Sequence, residues 1–463
     1  MSTVTEYLRS ARSQRPLAED PARAFAKVEI HRDPTSVLGA WAEFEAIVPA
    51  SVYQTRAFLL PWLETLGAAR KIEPLFITAR DRKNQVTALL CLGIERYGWF
   101  RCAAFLGGKE SNFNLGLFRP DAGFEAADLM ALLRAAASAL GPEAPDLFLL
   151  KNQPFEWEEV QNPFALLPHR PSPSLPYATA LASDAEAFLA VKLSKDARKK
   201  LRKKEARLSA MGPLALIGND RNEARKILEG FFAEKIARCE EQAIDTDFSN
   251  PAMRAFFDRL SRQGAGKPWL ELYGLTLGGR IIATYAGAVH RGHFSAMVNS
   301  FDTDPEIAKS SPGDLLLMKL IARQCERGIA SFDLGIGEAR YKSTYCELIV
   351  PLFDVAIPLG VKGHLFALLQ SASSRLKLAI KQNPQFLARL RRWKRFALRM
   401  RHGGPSEEAA KAAPQPIPVR FQGHVFAIFE SSWLRLKRAI KRSPWLYDFL
   451  RHLKRMAHAK KSA

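Results

Sequence analysis

The chain has 463 residues, 47% of them hydrophobic and 25% charged, with a formal net charge of +21. That length leaves room for two or three domains, and the composition is ordinary for a globular protein. Between residues 361 and 463 Lys and Arg outnumber Asp and Glu by 23 to 4, against 45 to 43 elsewhere, so the basicity belongs to the tail and does not mark the body as a nucleic-acid surface. The first twenty residues carry Glu6, Arg9, Arg12 and Arg15 and no apolar core of a secretory signal. No apolar run approaches the ~20 residues of a membrane-spanning helix. The five cysteines form no Cys-x-x-Cys pair, which fits a reduced cytoplasmic setting and argues against a cysteine-based zinc site.

In chain order, residues 1–24 are polar and expected to be disordered. Residues 25–153 read as a first α/β unit. Its elements are a strand at 28–30, helices at 34–47 and 55–66, strands at 73–79, 85–94 and 101–106, a helix at 126–140 and a buried strand at 146–150. The polar, glycine-bearing loop Gly107-Gly108 to Ser111-Asn112-Phe113-Asn114 is expected at the surface, with acceptor-side lining as its functional reading. Arg56 and Trp62 are similar cases. Six prolines between Pro154 and Pro176 make 154–178 a stiff linker.

Residues 179–360 repeat the order of the first unit: strand, helix, helix, three strands, helix, strand. Gly278-Gly279 is a strong hairpin signal between the strands at 269–277 and 280–289. The segment Ser194–Arg207, SKDARKKLRKKEAR, holds eight Lys and Arg. Val191, Ala197, Leu201 and Leu208 give it a thin apolar stripe, so it reads as a helix that presents either a solvated face or a cationic wall to phosphates. Ser310-Ser311-Pro312-Gly313-Asp314 then opens a helix with apolar residues at helical spacing, and Gly328 stops it. A buried strand follows, with Asp333 near its carboxyl end and Gly335 and Gly337 beyond.

After Gly360 a true repeat begins. Gly363–Pro384 aligns with Gly423–Pro444 at an offset of 60, and each copy is followed by a second basic amphipathic stretch. Residues 361–402 and 420–463 are therefore two basic helical repeats joined by a Gly, Ala and Pro-rich linker at 403–419. Trp393 and Trp445 lie among aliphatic and basic residues. That mixture suits an anionic membrane surface better than nucleic acid.

As a set, S-P-G-x-x-L-L from Ser311, F-D-L-G-x-G from Phe332 and Tyr341-Lys342 resemble GNAT-type acyltransferases, closest to the branch associated with cellulose and exopolysaccharide biosynthesis. The resemblance covers about residues 185–345. The tandem order also resembles the Fem-type peptidoglycan aminoacyltransferases. The resemblance implies tandem GNAT-like mixed-sheet α/β units followed by the basic helical tail. It also implies an acyl-CoA co-substrate, acetyl-CoA first, held where the sheet splits. The chain lacks the glycine-rich pyrophosphate loop of better-known GNAT enzymes.

Acyl transfer needs a nucleophile that loses a proton, a thiolate that gains one, and a donor for the carbonyl oxygen. Asp333, Tyr341 and Lys342 are the catalytic candidates: base, general acid, and phosphate or acceptor contact. Ser310, Ser311, Gly313 and Asp314 are the cofactor-binding candidates, because a helix start is an anion-receptive terminus. Tyr285 and Asn299, on adjacent strands, are candidates to line the pocket of a sugar or amine acceptor. His290 and His293 flank a turn and are expected to be solvated. There is no metal-ligand spacing, no Gly-x-Ser-x-Gly elbow and no Walker loop. The leading function is acyl transfer from acyl-CoA to an amino or hydroxyl group in exopolysaccharide synthesis, in the cytoplasm or on the inner membrane face. The alternatives are a non-catalytic scaffold of a polysaccharide-synthesis complex and an aminoacyl transferase using charged tRNA, the latter disfavoured by the neutral body.

Overall fold

The local signals of the second half explain its elements. Gly278 and Gly279 both take positive φ, 57° and 81°, as a tight hairpin between β12 (Glu271–Leu277) and β13 (Arg280–His290) requires. The helix Pro312–Glu326 buries Leu315, Leu316, Leu317, Leu320, Ile321 and Cys325. It ends at Gly328, whose φ is 69° and whose N–H donates to the Cys325 carbonyl at 2.9 Å. Asn250 caps the helix Pro251–Arg262, accepting from the Ala252 N–H at 2.9 Å.

The computed structural model describes residues 24–382, apart from 219, 242–245, 265–267 and 338–340. The chain divides into two compact units, Met1–Ala388 and Arg389–Ala463. The expected linker at 403–419 and the repeat at 420–463 lie outside the described residues, as do 1–23.

The first lobe runs β1 (Lys27–His31), α1 (Leu38–Ile47), α2 (Arg56–Trp62), β2 (Glu73–Arg80), β3 (Val86–Tyr97), β4 (Phe100–Phe105), β5 (Leu117–Phe118), α3 (Ala126–Leu140) and β6 (Leu147–Pro154). Next come β7 (Glu156–Trp157), β8 (Val160–Gln161), β9 (His169–Pro171), β10 (Pro176–Ala180), α4 (Ala185–Lys192) and α5 (Lys195–Met211). The second lobe runs β11 (Leu214–Gly218), α6 (Arg221–Glu241), α7 (Pro251–Arg262), β12, β13, β14 (His293–Phe301), α8 (Pro305–Ala308), α9 (Pro312–Glu326), β15 (Ser331–Ile336), α10 (Lys342–Tyr345), β16 (Leu348–Ile349) and β17 (Leu352–Pro358). The helix α11 (Gly360–Gln382) closes the described chain.

The two sheets share one topology. The first has the order β1-β2-β3-β4-β6-β17-β9 and the second β11-β12-β13-β14-β15-β10-β16. In each, the pairing between the fourth and fifth strands is parallel: β4 with β6, and β14 with β15. Each sheet is completed from a distance. β17, the last strand of the second run, pairs antiparallel with β6 of the first, while β10, before that run begins, pairs antiparallel with β15. The expected linker at 154–178 is therefore a connection only in part. Short strands lie within it because Pro is tolerated at strand ends and sheet edges: β9 belongs to the first sheet and β10 to the second.

One hydrophobic core runs through both lobes. Tyr53, Phe58 and Trp62 of the first lobe are buried with Phe231, Phe256, Leu270 and Ala286 of the second. The rings of Phe58 and Phe256 meet edge-on, with centroids 5.5 Å apart. The body also continues past Gly360. Phe366 of α11 is 4% exposed and stacks on Phe100 at 4.8 Å. A Cβ at Gly363 would lie 1.9 Å from the Asp146 carbonyl oxygen, so only glycine lets the helix approach this closely.

Candidate acyl-transfer site

The parallel register of β14 and β15 lasts three residue pairs, His293–Ser331, Phe294–Phe332 and Ser295–Asp333, after which β14 continues without it to Phe301. Within β14 the register against β13 skips Met297, since Ala286 faces Val298 and Gly287 faces Ala296. This bulge bends β14 where the two strands part. Beside the parting lies a cavity of about 870 Å³. Its walls include Asn299 and Tyr341, the α9 start at Ser311, Gly313 and Asp314, and Asn112 of the first lobe.

The gap itself is filled by Asn112. Its Nδ2 donates to the Tyr53 hydroxyl at 2.6 Å and lies 3.4 Å from the Ala296 carbonyl oxygen on β14. Its Oδ1 lies 3.4 Å from the Ile336 N–H on β15. Asn114 binds a single strand of its own sheet, β6, donating from Nδ2 to the Lys151 carbonyl at 3.0 Å, while its N–H donates to the Asn152 carbonyl at 3.0 Å. One loop thus binds β6 of the first sheet and walls the cavity beside the second.

Asp333 is 5% exposed. Its Oδ1 accepts the Gly335 N–H at 2.6 Å, and Oδ2 is buried with no partner among the described residues. Burial pushes its carboxyl up to about 7, against the opposing pull of the Gly335 N–H and Lys342. Lys342 Nζ donates to the carbonyls of Gly335 and Ile336 at 3.1 and 3.0 Å, and burial lowers its pKa. These two side chains clamp the end of β15, and neither is among the cavity's lining residues. Tyr341 is. Its hydroxyl lies 3.4 Å from Asn299 Nδ2 and bonds Tyr285. Tyr285 is fully buried, and burial raises its pKa well above the ordinary value, so it supports Tyr341 from inside the sheet.

At the start of α9 the capping residue is Ser311, in a left-handed conformation with φ 48° and ψ 60°. The N–H groups of Asp314 and Leu315 both donate to the Ser311 carbonyl, at 3.0 and 3.2 Å, and Pro312 has no N–H. Gly313 keeps the one main-chain donor of that turn not directed at Ser311 or lost to proline. A Cβ there would meet Phe301 at 3.3 Å. Ser310 is 0% exposed and its Oγ has no partner among the described residues. The basic helix α5 docks by Leu201 and Leu208, and its Lys204 donates to Ser311 Oγ at 2.7 Å.

Other cations come from residues the sequence did not single out. On α6, Lys235 Nζ donates to the Asn299 carbonyl at 3.2 Å, and the Arg238 guanidinium lies 4.1 Å from the Phe301 ring centroid. A helix whose charges are spread evenly gives no sign of which of them turn inward. His290 and His293 are half-buried rather than solvated. His290 Nε2 has no partner among the described residues, and burial lowers both pKa values. Arg56 pairs with Glu45, and Trp62 donates to Glu110 at 3.0 Å. Among the described residues no group of His, Cys, Asp or Glu is set to hold a metal ion, and no helix is long and apolar enough to cross a membrane.

Residues 195–343 match the family model described as acetyltransferase (GNAT) domain. No curated protein matches the chain. Among solved structures it is similar to FemX, at 12% identity over 70% of this chain and 96% of that one, with a TM-score of 0.49. It is also similar to L-PGS from Bacillus licheniformis, at 13% identity over 72% and 96%, with a TM-score of 0.42. A tandem GNAT protein from the clavulanic acid biosynthesis pathway shows 10% identity over 72% and 98%, with a TM-score of 0.43. The two lobes are tandem GNAT-like units, each built on a mixed sheet.

Proposed function

We propose that the second lobe transfers an acyl group from acyl-CoA to an amino or hydroxyl acceptor. The observation that carries this reading is a convergence inside the segment that matches the GNAT family model. The parting of β14 and β15, the α9 start and the Tyr341 hydroxyl border one cavity. The donors near α9, Gly313 N–H, Lys204 and Arg238, suit the phosphates of the co-substrate. Its thioester arm follows β14 past the bulge at Met297.

In this reading the acceptor attacks the thioester carbonyl and the carbon–sulfur bond breaks. Tyr341 gives its proton to the leaving thiolate and takes one from the acceptor, so a single hydroxyl balances the exchange. Asn299 and Tyr285 hold that hydroxyl in place. Asp333 and Lys342 act as positioning residues, since they fix the β15 end from below the cavity wall. The resemblance points to acetyl-CoA as the first donor and to a sugar of an exopolysaccharide as acceptor. It also fits a cytoplasmic protein held on an anionic membrane surface by its tail.

A thermal melt tests the reading. An acyl-CoA that binds the folded protein raises the melting temperature by mass action. No shift with any acyl-CoA up to about a millimolar would favour the second reading, a non-catalytic scaffold of a polysaccharide-synthesis complex. The filling of the β14–β15 gap by the Asn112 side chain favours that reading.

A further inference from the structure

The cavity has two unlike ends. Asn299, Tyr341, Lys235 and Arg238 make one of them polar, and Lys235 Nζ lies 5.3 Å from the Phe248 ring centroid where the two meet. The other is a floor of Phe58, Phe248, Met253, Phe256, Phe257 and Met297, drawn from α2 of the first lobe, the segment before α7, α7 itself and the β14 bulge. Phe58, Met253, Phe256 and Phe257 are each at most 3% exposed, yet all of them face the cavity. The charges at this end are spent on each other, Lys109 on Asp247 and Glu110 on Arg70. Met297 belongs to both ends, because it is the residue the bulge turns out two positions before Asn299.

We infer that the acyl group transferred is a medium-length aliphatic chain that lies on this floor, rather than the acetyl group. The inference rests on the acyl-CoA reading above and names its donor class. An acetyl group ends beside Met297 and leaves the part of the cavity against this apolar floor unfilled. An aliphatic chain lying there takes its own surface out of water, and it is the one apolar part of an acyl-CoA able to do so. The two methionine side chains of the floor, Met253 and Met297, adapt to a chain of variable length.

The test is calorimetric titration of the full chain with acetyl-, butyryl-, hexanoyl-, octanoyl- and decanoyl-CoA below their micellar concentrations. Each methylene taken fully out of water is worth about fourfold in Kd. The expected result is Kd falling at least tenfold from acetyl to octanoyl and levelling once the floor is covered. Values equal within about threefold across the series overturn the inference while leaving acyl-CoA binding intact. Failure of every member to bind overturns both. Met253→Trp, which fills the floor, should shrink the octanoyl-to-acetyl ratio. Phe248→Ala, at a half-buried wall position less critical to folding, should move the levelling point to a longer chain. Unchanged ratios in folded variants count against the floor.

Discussion

Asn112 and Gly335 meet across the two lobes with no room for a side chain between them. A Cβ on Gly335 would lie 2.6 Å from Asn112 Nδ2, and its φ of 73° already disfavours any other residue. Gly335→Ala should therefore cost about 2–3 kcal/mol of stability in chemical denaturation. Asn112→Ala should recover the steric share in the double variant, giving a coupling of roughly 0.5–3 kcal/mol. Strict additivity would mean that the two residues do not share the gap.

Tyr341→Phe should lower turnover by about 10²–10⁴, because it removes a general acid from a cavity wall, and should lower stability only by about 1 kcal/mol for the lost bond to Tyr285. Asn299→Ala should act in the same direction and more weakly. A Tyr341→Phe enzyme with near-full turnover would take Tyr341 out of the chemistry.

Asp333 carries a sign that can be checked. Its folded pKa, about 7, lies above the ordinary 3.8. Between those values the folded chain binds more protons than the unfolded one, so stability falls as pH rises through this window. Glu234, pushed up to about 7 by burial, adds to the same slope. Asp333→Asn should flatten the stability profile between about pH 4 and pH 7 relative to the wild type, as measured by urea midpoints. An unaltered slope would mean that Asp333 is not held in a desolvated site.

Much of the fold was legible in the sequence. The order of strands and helices in each half follows from periodicity, and the Gly278-Gly279 hairpin follows from turn chemistry. The exchange of β10 and β17 was not legible, because pairing across nearly two hundred residues leaves no local pattern. The site was legible in part. Ser311, Gly313, Asp314, Asn299 and Tyr341 were named from motifs and do line the cavity. Asp333 was named as a base, and its burial beneath Tyr53 and Asn112 is a property of the other lobe, invisible in a strand motif. Phe256 and Phe257 carried a signal, two adjacent aromatics on an amphipathic helix, but one that any core helix shares.

The tail makes a separate prediction. Because Phe366 is seated in the body, the informative truncation falls at Ala388, where the compact unit ends, rather than at Gly360. The full chain should co-sediment with anionic vesicles at low salt and release as salt rises, since each Lys or Arg near anionic headgroups adds ~1 kcal/mol. A chain ending at Ala388 should stay in the supernatant. Equal sedimentation of both, or of neither, would remove the membrane role of residues 389–463.

The most direct test of an acyl-CoA site in the second lobe is the stoichiometry of co-substrate binding. The full chain should be titrated calorimetrically with acetyl-CoA or octanoyl-CoA, whichever binds more tightly. Because the match to the GNAT family model lies in the second lobe, one acyl-CoA should bind per chain, and Lys204→Ala should weaken it about tenfold by removing a charged donor beside Ser311. Two sites per chain, or no heat and no saturation with either thioester, would contradict the account.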